Sequence, residues 1–204
     1  MNNAGVNFDL STIETGVFRY KYKGIPCWKC PFDFALYQMI IFDQKPDLII
    51  EIGTKFGGSA LYLFDLMNLA GVKGQVHTID INTVAADNLA RAKSIRYFST
   101  GWDGYDISLT DGFKRVMVVD DGSHHYNDVK GAMNKFAGIV TPGQYYIVED
   151  GVINHLNYEG FDGGPLRAID ELLNEREDFK IDRKLCNFFG QNATFNINGY
   201  LRKK

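Results

Sequence analysis

The chain has 204 residues, a formal net charge of −3, 45% hydrophobic residues and 23% charged residues. These fractions are those of an ordinary globular domain, so disordered, collagen-like and coiled-coil proteins are excluded. Glycine is the unusual residue, because the 21 glycines are about 10% of the chain against a background of about 7%. An excess of glycine predicts tight turns or backbone that lies close to a ligand.

Charge and hydropathy also exclude two kinds of partner. A slightly acidic chain without a basic stripe is not typical of nucleic-acid binding. No apolar run reaches the roughly 18 residues that span a bilayer, and residues 1–10 lack a signal-peptide core. We therefore expect a cytoplasmic protein that binds neither nucleic acid nor a membrane.

Three cysteines are consistent with that compartment. Cys27 and Cys30 form a lone Cys-x-x-Cys between Pro26 and Pro31, and Cys186 stands alone. A zinc ribbon needs a second pair, and a redox motif normally opens a helix after a strand. Ordinary loop thiols are therefore favoured over a metal or redox site.

In chain order, the pattern begins with an N-terminal arm, residues 1–30, in which Phe18, Tyr20 and Tyr22 alternate as in a short strand or extended segment. A glycine-rich loop is expected at Thr100–Gly112. The predicted helices are Phe32–Phe42, Gly58–Ala70, Val84–Lys93, Tyr126–Phe136 and Pro165–Asn174. The predicted strands are Leu48–Ile52, Val76–Ile81, Ile95–Phe98, Val116–Val119, Tyr145–Val148, Phe179–Leu185 and Ala193–Arg202.

Alternating strands and helices predict an α/β fold in a single domain, residues 31–204. The sheet should have seven strands, mostly parallel, and the last two should form an antiparallel C-terminal hairpin. Sheets of this kind bind ligands beyond the carboxyl ends of their strands. The residues that follow each strand are therefore the candidates for a functional site.

The first predicted strand leads from Glu51 into a glycine-rich turn. Gly53 and Gly58 have the spacing of a Walker loop, but Ser59 stands where that loop has its lysine. A dinucleotide fingerprint would need glycine in place of Lys55. Both phosphate-binding motifs are therefore disfavoured. The remaining feature of this segment is the carboxylate of Glu51, two residues before the glycine turn.

The second predicted strand ends at Asp80 and Ile81. A carboxylate at this position can accept hydrogen bonds from both ribose hydroxyls of a nucleoside. The alternative is a helix N-cap, since Asn82 and Thr83 precede a predicted helix.

The fourth and fifth predicted strands are followed by four carboxylates, those of Asp120, Asp121, Glu149 and Asp150. Carboxylates at the ends of neighbouring strands repel one another unless a positive charge lies between them. A divalent cation such as magnesium supplies that charge.

Two histidines follow the aspartate pair, and either His124 or His125 can reach the same site as a general base. The alternative is that one aspartate caps the next helix and that both histidines lie on the surface.

Several motifs, in this order, resemble the cephalosporin hydroxylase/rhamnosyl O-methyltransferase family over about Gly24–Arg202. They are Pro31-Phe-Asp-Phe-Ala-Leu-Tyr-Gln38, Lys45-Pro-Asp-Leu-Ile-Ile50, Glu51-Ile-Gly-Thr-x-x-Gly-Gly-Ser-Ala-Leu-Tyr62, Asp80-Ile81, Glu149-Asp150 and Asn198-Gly-Tyr-Leu-Arg202.

The resemblance implies a Rossmann-like class I methyltransferase that binds S-adenosylmethionine (SAM) and Mg²⁺ or another divalent cation. The cofactor-binding residues it implies are Glu51, Gly53, Thr54, Gly57, Gly58, Ser59, Asp80 and Ile81. The metal ligands it implies are Asp121, Glu149 and Asp150, with Asp121 preferred to Asp120. The catalytic candidates are Asp121, His124 and His125.

The expected reaction is methyl transfer from SAM to a hydroxyl of a sugar or another small diol, with His124 taking the proton. Trp102, Tyr105 and Tyr158 could stack on a sugar ring or pack loops. Relatives tend to self-associate, so a homo-oligomer is expected, with the N-terminal arm as a candidate contact.

Three alternatives stay open at this point. A hydroxylase would use Asp121, His124 and His155 as an iron-binding triad. A nucleotide-sugar or NAD-dependent enzyme could share the fold class. A domain could also bind SAM without turnover.

Overall fold

A computed structural model describes residues 9–82, 86–89 and 93–204. The helices are α1 (Leu10–Val17), α2 (Pro31–Gln44), α3 (Gly58–Leu69), α4 (Ala86–Leu89), α5 (Gly101–Gly104), α6 (Tyr126–Phe136), α7 (Gly164–Glu175) and α8 (Arg183–Cys186), with 3-10 helices at Ile107–Thr110 and Gly151–His155. The strands are β1 (Lys21–Tyr22), β2 (Ile25–Pro26), β3 (Leu48–Ile52), β4 (Gln75–Ile79), β5 (Ile95–Phe98), β6 (Val116–Asp120), β7 (Tyr145–Val148), β8 (Phe179–Ile181) and β9 (Tyr200–Lys203).

Seven strands form one sheet in the order β5-β4-β3-β6-β7-β9-β8. The pairs β3/β4, β4/β5, β3/β6 and β6/β7 are parallel. The pairs β7/β9 and β8/β9 are antiparallel. The predicted α/β fold, with a mostly parallel sheet and an antiparallel C-terminal hairpin, is therefore confirmed.

The register of the sheet sets where the functional residues lie. Ile52 is opposite both Ile79 and Asp120, and Asp120 is opposite Val148. Strands β3, β4, β6 and β7 therefore end level with one another, and the residues that follow them meet at one edge of the sheet.

Two hydrophobic layers cover the faces of the sheet. All five residues of β3 and all five of β6 are buried, as expected for parallel strands with helices on both faces. Helices α2 and α3 pack on one face, and α6 and α7 pack on the other. Each fully buried Leu or Ile side chain contributes about 1.5–3 kcal/mol, so these layers hold the strand ends in place.

Helix α2 begins and ends where proline chemistry predicts. Pro31 occupies the first turn, where its missing N–H costs nothing. Lys45 ends the helix in the left-handed conformation at φ 48°, because Pro46 disfavours a helical residue before it.

The N-terminal segment differs from the prediction. Instead of an extended run through Phe18 and Tyr20, helix α1 begins after Asp9, whose Oδ1 accepts a hydrogen bond from the Thr12 N–H at 2.8 Å. Only Tyr22 of the three aromatic residues lies in a strand, within the β1/β2 hairpin. Asp9, a residue type favoured at helix N-caps, was the sequence signal for this helix.

The proposed boundary at residue 30 stays a prediction, although contacts cross it. Val17 and Cys30 belong to a third apolar cluster with Val152, Phe195 and Ile197. Burial raises the pKa of the Cys27 and Cys30 thiols to about 12, so both thiols stay protonated and neutral.

The C-terminal strands are shorter than predicted. Asp182 ends β8 because its Oδ1 accepts hydrogen bonds from the N–H groups of Lys184 and Leu185 and so caps α8. Residues 193–199 do not form a strand. Buried Asp33 holds this stretch, since its carboxylate accepts hydrogen bonds from Thr194 Oγ1, from Phe195 N at 3.0 Å and from Tyr200 OH at 2.8 Å.

Two further segments refine the prediction. The loop expected at Thr100–Gly112 contains α5 and the 3-10 helix at Ile107–Thr110. Of the helix expected at Val84–Lys93, the structure shows α4, while residues 83–85 and 90–92 lie outside the described residues. No helix in the described part of the chain is long and apolar enough to cross a bilayer.

A buried histidine predicts a pH-dependent stability. His77 lies on β4, where its Nδ1 is 2.6 Å from Tyr105 OH and its Nε2 is 3.1 Å from Gln75 Oε1. Burial, with a smaller effect of Arg96, lowers the pKa of His77 from 6.5 to about 4. As the pH falls below 6.5 the unfolded chain binds this proton first, so the folded state loses stability between pH 6.5 and 4.

We expect His77 to account for about 2 kcal/mol of the unfolding free energy lost between pH 7.5 and pH 5. Urea unfolding at both pH values should show a loss smaller by that amount in His77→Gln. Equal losses in the two proteins would contradict the assignment, whatever the absolute stability of the variant.

Candidate active site

An open cavity of about 990 Å³ lies at the edge where β3, β4, β6 and β7 end. Two groups of residues in its lining share one space. The polar group comes from the strand ends and comprises Gly53, Asp80, Asp120, Asp121, His124 and Asp150. The apolar group comes from N-terminal and loop segments and comprises Val17, Phe18, Trp28, Phe56, Val152, Ile153, Leu156, Tyr158, Phe161 and Phe195.

The turn after β3 requires glycine for two reasons. Gly53 has φ +96°, and a Cβ added there would lie 1.9 Å from the carbonyl oxygen of Asp121. A Cβ at Gly58 would lie 2.3 Å from the carbonyl oxygen of Pro26. Gly57, at φ +84°, precedes the first turn of α3. The predicted cofactor turn is therefore a place of close backbone approach, as the glycine excess indicated.

Three other residues predicted to bind the cofactor lie beneath this turn. Glu51 is fully buried, and its Oε2 accepts a hydrogen bond from Thr78 Oγ1 at 2.6 Å. Thr54 Oγ1 lies 2.7 Å from the same hydroxyl, and Ser59 is also buried. Burial raises the pKa of Glu51 to about 7. These side chains fix the turn against β4 and do not line the large cavity.

Asp80 lies on the cavity wall with its orientation fixed. Its Oδ2 accepts a hydrogen bond from Lys55 N at 2.7 Å, and its Oδ1 accepts from Ile81 N at 2.7 Å and Asn82 N at 3.1 Å. Ile81 is largely exposed and also lines the cavity. The backbone N–H groups set the position of this carboxylate and leave a lone pair of Oδ2 available for a ligand.

A second polar cluster follows β6 and β7. His124 Nε2 lies 3.3 Å from Asp150 Oδ2 and 3.8 Å from Asp121 Oδ1. One ligand atom from each of these three residues lies within 4.8 Å of the other two. This is the only such group among the residues that the structure describes. Its atoms can therefore converge on one cation.

Backbone strain accompanies the cluster. His124 has φ +60° and Asp150 has φ +56°, and the left-handed region is costly for residues other than glycine. Burial raises the pKa of both Asp121 and Asp150, while nearby positive charge opposes that rise.

Asp120, the alternative to Asp121, does not belong to this group, although it also lines the cavity. Its Oδ2 accepts a hydrogen bond from Tyr146 OH at 3.2 Å. The side chain is buried, and burial raises the pKa of Asp120 to about 7. The geometry therefore favours Asp121 as the aspartate that faces a ligand.

The two candidate bases are also separated. His124 lines the cavity, whereas His125 stacks on Phe161 with ring centroids 4.8 Å apart. The Nδ1 of His125 lies 3.2 Å from the carbonyl oxygen of Gly160. His155, the third histidine of the iron-triad alternative, is exposed and belongs to no such cluster in the described ranges. Geometry therefore favours His124.

Glu149, predicted as a metal ligand, lies outside the cluster. Its Oε1 accepts a hydrogen bond from Tyr37 OH at 2.5 Å and another from Lys29 Nζ. The ammonium group of Lys29 is also 3.0 Å from Asp121 Oδ2. Burial alone would lower the pKa of Lys29, but Asp121, Glu149 and Glu51 raise it well above its usual value. Lys29 is therefore a buried cation among carboxylates.

Lys29 and Tyr37 were not expected from the sequence as site residues. Lys29 stands between Trp28 and Cys30 in a short segment bounded by prolines, where a lysine normally indicates solvent exposure. Its side chain instead has 0% exposure. The place of Lys29 in the site follows only from the tertiary structure, which brings it to Asp121 and Glu149, residues distant in sequence.

Aromatic side chains form the second wall of the cavity. Trp28 packs edge-on against Phe18 and Phe56, with ring centroids 5.0 and 5.4 Å apart. Tyr158 OH donates a hydrogen bond to Glu14 Oε1 at 2.6 Å and so links the 151–164 segment to α1. The wall therefore combines apolar rings with a polar rim.

Of the three aromatic residues considered for stacking, two lie on the cavity and one does not. Trp102 and Tyr158 line it. Tyr105 is 2% exposed and pairs with His77 in the core, so the stacking role considered for it is wrong. The glycine-rich segment after β5 places Trp102 at the cavity and buries Tyr105 beneath it.

Comparison with known proteins identifies the relatives of this chain. The family model described as Rhamnosyl O-methyltransferase/CmcI matches residues 15–204. The rhamnosyl O-methyltransferase of Mycobacterium tuberculosis is 33% identical over 190 residues, which cover 88% of this chain and 76% of the relative. The corresponding protein of Mycobacterium leprae is 31% identical over 193 residues, which cover 90% and 82%.

Solved structures show the same fold. CmcI with S-adenosylhomocysteine has a TM-score of 0.67 at 20% identity and covers 100% of this chain and 95% of its own. CmcI with magnesium and SAM has a TM-score of 0.65, also at 20% identity, and covers 100% and 88%. An O-methyltransferase from Bacillus cereus with S-adenosylhomocysteine has a TM-score of 0.58 at 18% identity and covers 74% and 72%. The fold of the chain is therefore that of Rossmann-like methyltransferases.

The contact between Gly53 and Asp121 gives a stability prediction. Gly71 also has positive φ, at +73°, but a Cβ there would meet nothing within 4 Å. We expect Gly71→Ala to cost about 1–2 kcal/mol through backbone strain alone. Gly53→Ala should cost at least about 2 kcal/mol more, because its Cβ would overlap the backbone of Asp121, the residue after β6. Urea unfolding measures both, and equal costs would show that the close approach is unimportant.

Proposed function

The chain belongs to the rhamnosyl O-methyltransferase/CmcI family, and on that premise we propose that it transfers a methyl group from SAM to a sugar hydroxyl with the help of a divalent cation. The observation that carries this proposal is the shared cavity. It has the fixed carboxylate of Asp80 on one wall and the cluster of Asp121, His124 and Asp150 on another.

The glycine turn and Asp80 are proposed to hold SAM. The free N–H groups at the start of α3 and the close backbone approach at Gly53 suit the methionine end. Asp80 suits the ribose, because Oδ2 of its carboxylate can still accept a hydrogen bond from a hydroxyl. The methyl group of a sulfonium is already activated for transfer, so the task of these residues is to position it.

Asp121 and Asp150 are proposed to hold the cation, which is magnesium or another divalent ion. The fit rests on two buried or half-buried carboxylates whose oxygens converge with His124 Nε2, and oxygen ligands are those that magnesium prefers. When bound to Asp121 and Asp150, such a cation would lower the pKa of a hydroxyl on the acceptor. Glu149 was also expected as a ligand, and that role stays a prediction.

His124 is proposed to accept the proton of the acceptor hydroxyl at Nε2. Asp121 and Asp150 flank this imidazole and stabilise its protonated form. The new O–CH₃ bond forms as the S–CH₃ bond breaks, S-adenosylhomocysteine leaves, and the proton stays on His124 until solvent removes it.

The aromatic wall supports a sugar-containing acceptor. Trp28, Phe56 and Tyr158 present ring surfaces to the same space as the catalytic cluster, and the C–H faces of a sugar pack well on such rings. The names of the mycobacterial relatives specify a rhamnosyl acceptor for those proteins. A sugar hydroxyl is therefore the proposed acceptor here.

Other expectations remain predictions. A cytoplasmic location, self-association and the absence of nucleic-acid or membrane partners were inferred from the sequence alone. The hydroxylase alternative is disfavoured because His155 lies apart from Asp121 and His124.

Calorimetry can test cofactor binding directly. Titration with SAM, NAD and 2-oxoglutarate, each with and without magnesium, should give a signal with SAM alone. Asp80→Asn should weaken SAM binding about tenfold or more, because hydrogen bonds to a charged acceptor contribute about 1.5–3 kcal/mol.

Asp103→Asn provides the matched control for Asp80→Asn, since Asp103 also lines the cavity and, among the described residues, its carboxylate accepts a hydrogen bond from Gly104 N in its own turn. SAM affinity should be unchanged in this variant. A wild-type protein that does not bind SAM would overturn the proposed function.

Substitution of the two adjacent histidines tests the base. His124→Ala should lower methyl transfer by about 100-fold or more while SAM affinity is retained. His125→Ala should change transfer little, because His125 faces Phe161. Release of S-adenosylhomocysteine with a panel of glycosides that includes a rhamnoside measures both. Equal losses in the two variants would argue against His124 as the base.

A further inference from the structure

Lys55 is an exception in a cavity lined by acidic side chains. Seven aspartate and glutamate residues line this cavity, among them Asp80, Asp121 and Asp150, whereas Lys55 is the one lysine or arginine in the described part of its lining. Carboxylates on a wall repel an anionic group of a ligand, and a neighbouring ammonium group attracts it. Lys55 therefore marks the part of the wall that favours an anion.

The ammonium group of Lys55 is held by an aromatic ring. It lies over the indole of Trp28, 3.7 Å from the ring centroid. This contact occupies one side of an ammonium group that has three N–H donors. The side chain is exposed, and no ion pair joins it to a carboxylate in the part of the chain that the structure describes. Its remaining donors are therefore available to a ligand.

The backbone of Lys55 ties this residue to the proposed ribose site. Its N–H donates a hydrogen bond to Asp80 Oδ2 at 2.7 Å. Lys55 has the left-handed conformation at φ 47°, which is costly for a residue other than glycine. The hydrogen bond to Asp80 helps to hold this conformation, and it fixes the point where the lysine side chain leaves the glycine turn.

Lys55 also borders the start of α3. A smaller cavity of about 30 Å³ lies at the glycine turn, and its lining includes Trp28, Lys55, Gly58 and Ser59. Gly58 and Ser59 belong to the first turn of α3, where backbone N–H groups lack partners within the helix and favour negative charge. The start of the helix and the lysine side chain therefore favour the same kind of group at one place.

We propose that the ammonium group of Lys55 binds the carboxylate of the methionine part of SAM. This role rests on the proposed function, because it presumes that SAM occupies the cavity. SAM has one negative group, its carboxylate, and two positive groups, its sulfonium and its ammonium. The acidic wall suits the two positive groups, and Lys55 suits the negative one. Lys55 thus sets the direction of the methionine end relative to the ribose.

Decarboxylated SAM tests this role, because it keeps both positive groups and lacks the carboxylate. Lys55→Met removes the charge and leaves a side chain that can still pack on Trp28. We expect this variant to bind SAM about tenfold more weakly, because it loses charge-assisted hydrogen bonds. Its affinity for decarboxylated SAM should be unchanged or higher, because the lost charge repelled that ligand. Calorimetric titration of the full chain measures both dissociation constants.

Two further variants control for the change of charge. Lys73→Met removes the charge of an exposed lysine outside the cavity lining, so both affinities should stay within about twofold of wild type, because solvent screens distant charges. Lys55→Arg keeps a positive charge that can lie over Trp28, so it should retain most of the affinity for SAM.

Measuring two ligands in one variant separates a lost contact from a distorted turn. If Lys55→Met weakens the binding of SAM and decarboxylated SAM by the same factor, or leaves SAM binding unchanged, the role of Lys55 is overturned. The proposed function then stands, because wild-type protein still binds SAM. If wild-type protein does not bind SAM, the proposed function itself is wrong and the role of Lys55 fails with it.

Discussion

Four parallel strands, β3, β4, β6 and β7, end level with one another, and this alignment determines where the residues of the candidate site lie. Because Ile52 is opposite both Ile79 and Asp120, the glycine turn, Asp80 and Asp121 emerge at the same height. The close approach between Gly53 and the backbone of Asp121 then joins the proposed cofactor and cation sites. A shift of one residue in any of these strands would exchange the faces of its side chains and separate the groups.

Several carboxyl groups are buried at these strand ends, and burying their negative charges is unfavourable. Glu51, Asp120 and Glu149 are almost wholly buried, and burial raises the pKa of each. The chain stabilises the arrangement with hydroxyl donors and with one buried ammonium group. Hydroxyls from Thr78, Tyr146 and Tyr37 each contact one of these three carboxyl groups.

Much of the sheet could be predicted because its central strands are continuous apolar runs, and glycine marked the turn after β3. The C-terminal strands were predicted too long because Asp182 redirects the backbone through a cap that hydropathy does not reveal. Glu149 and Asp150 diverge although they are adjacent in sequence, because β7 ends at Val148 and Asp150 takes the left-handed conformation at φ +56°. Lys29 could not be predicted, since its partners Asp121 and Glu149 are distant in sequence.

The two outer strands of the sheet have a consequence for how copies of the chain can meet. Among the described strands, β5 and β8 form the free edges and have four and three residues. Each carries an exposed basic residue inside the strand, Arg96 in β5 and Lys180 in β8. Short edges with a central positive charge oppose the addition of a strand from another molecule. Such edges protect against aggregation and, for ordered self-association of the described part of the chain, favour helical or loop surfaces over an extended sheet.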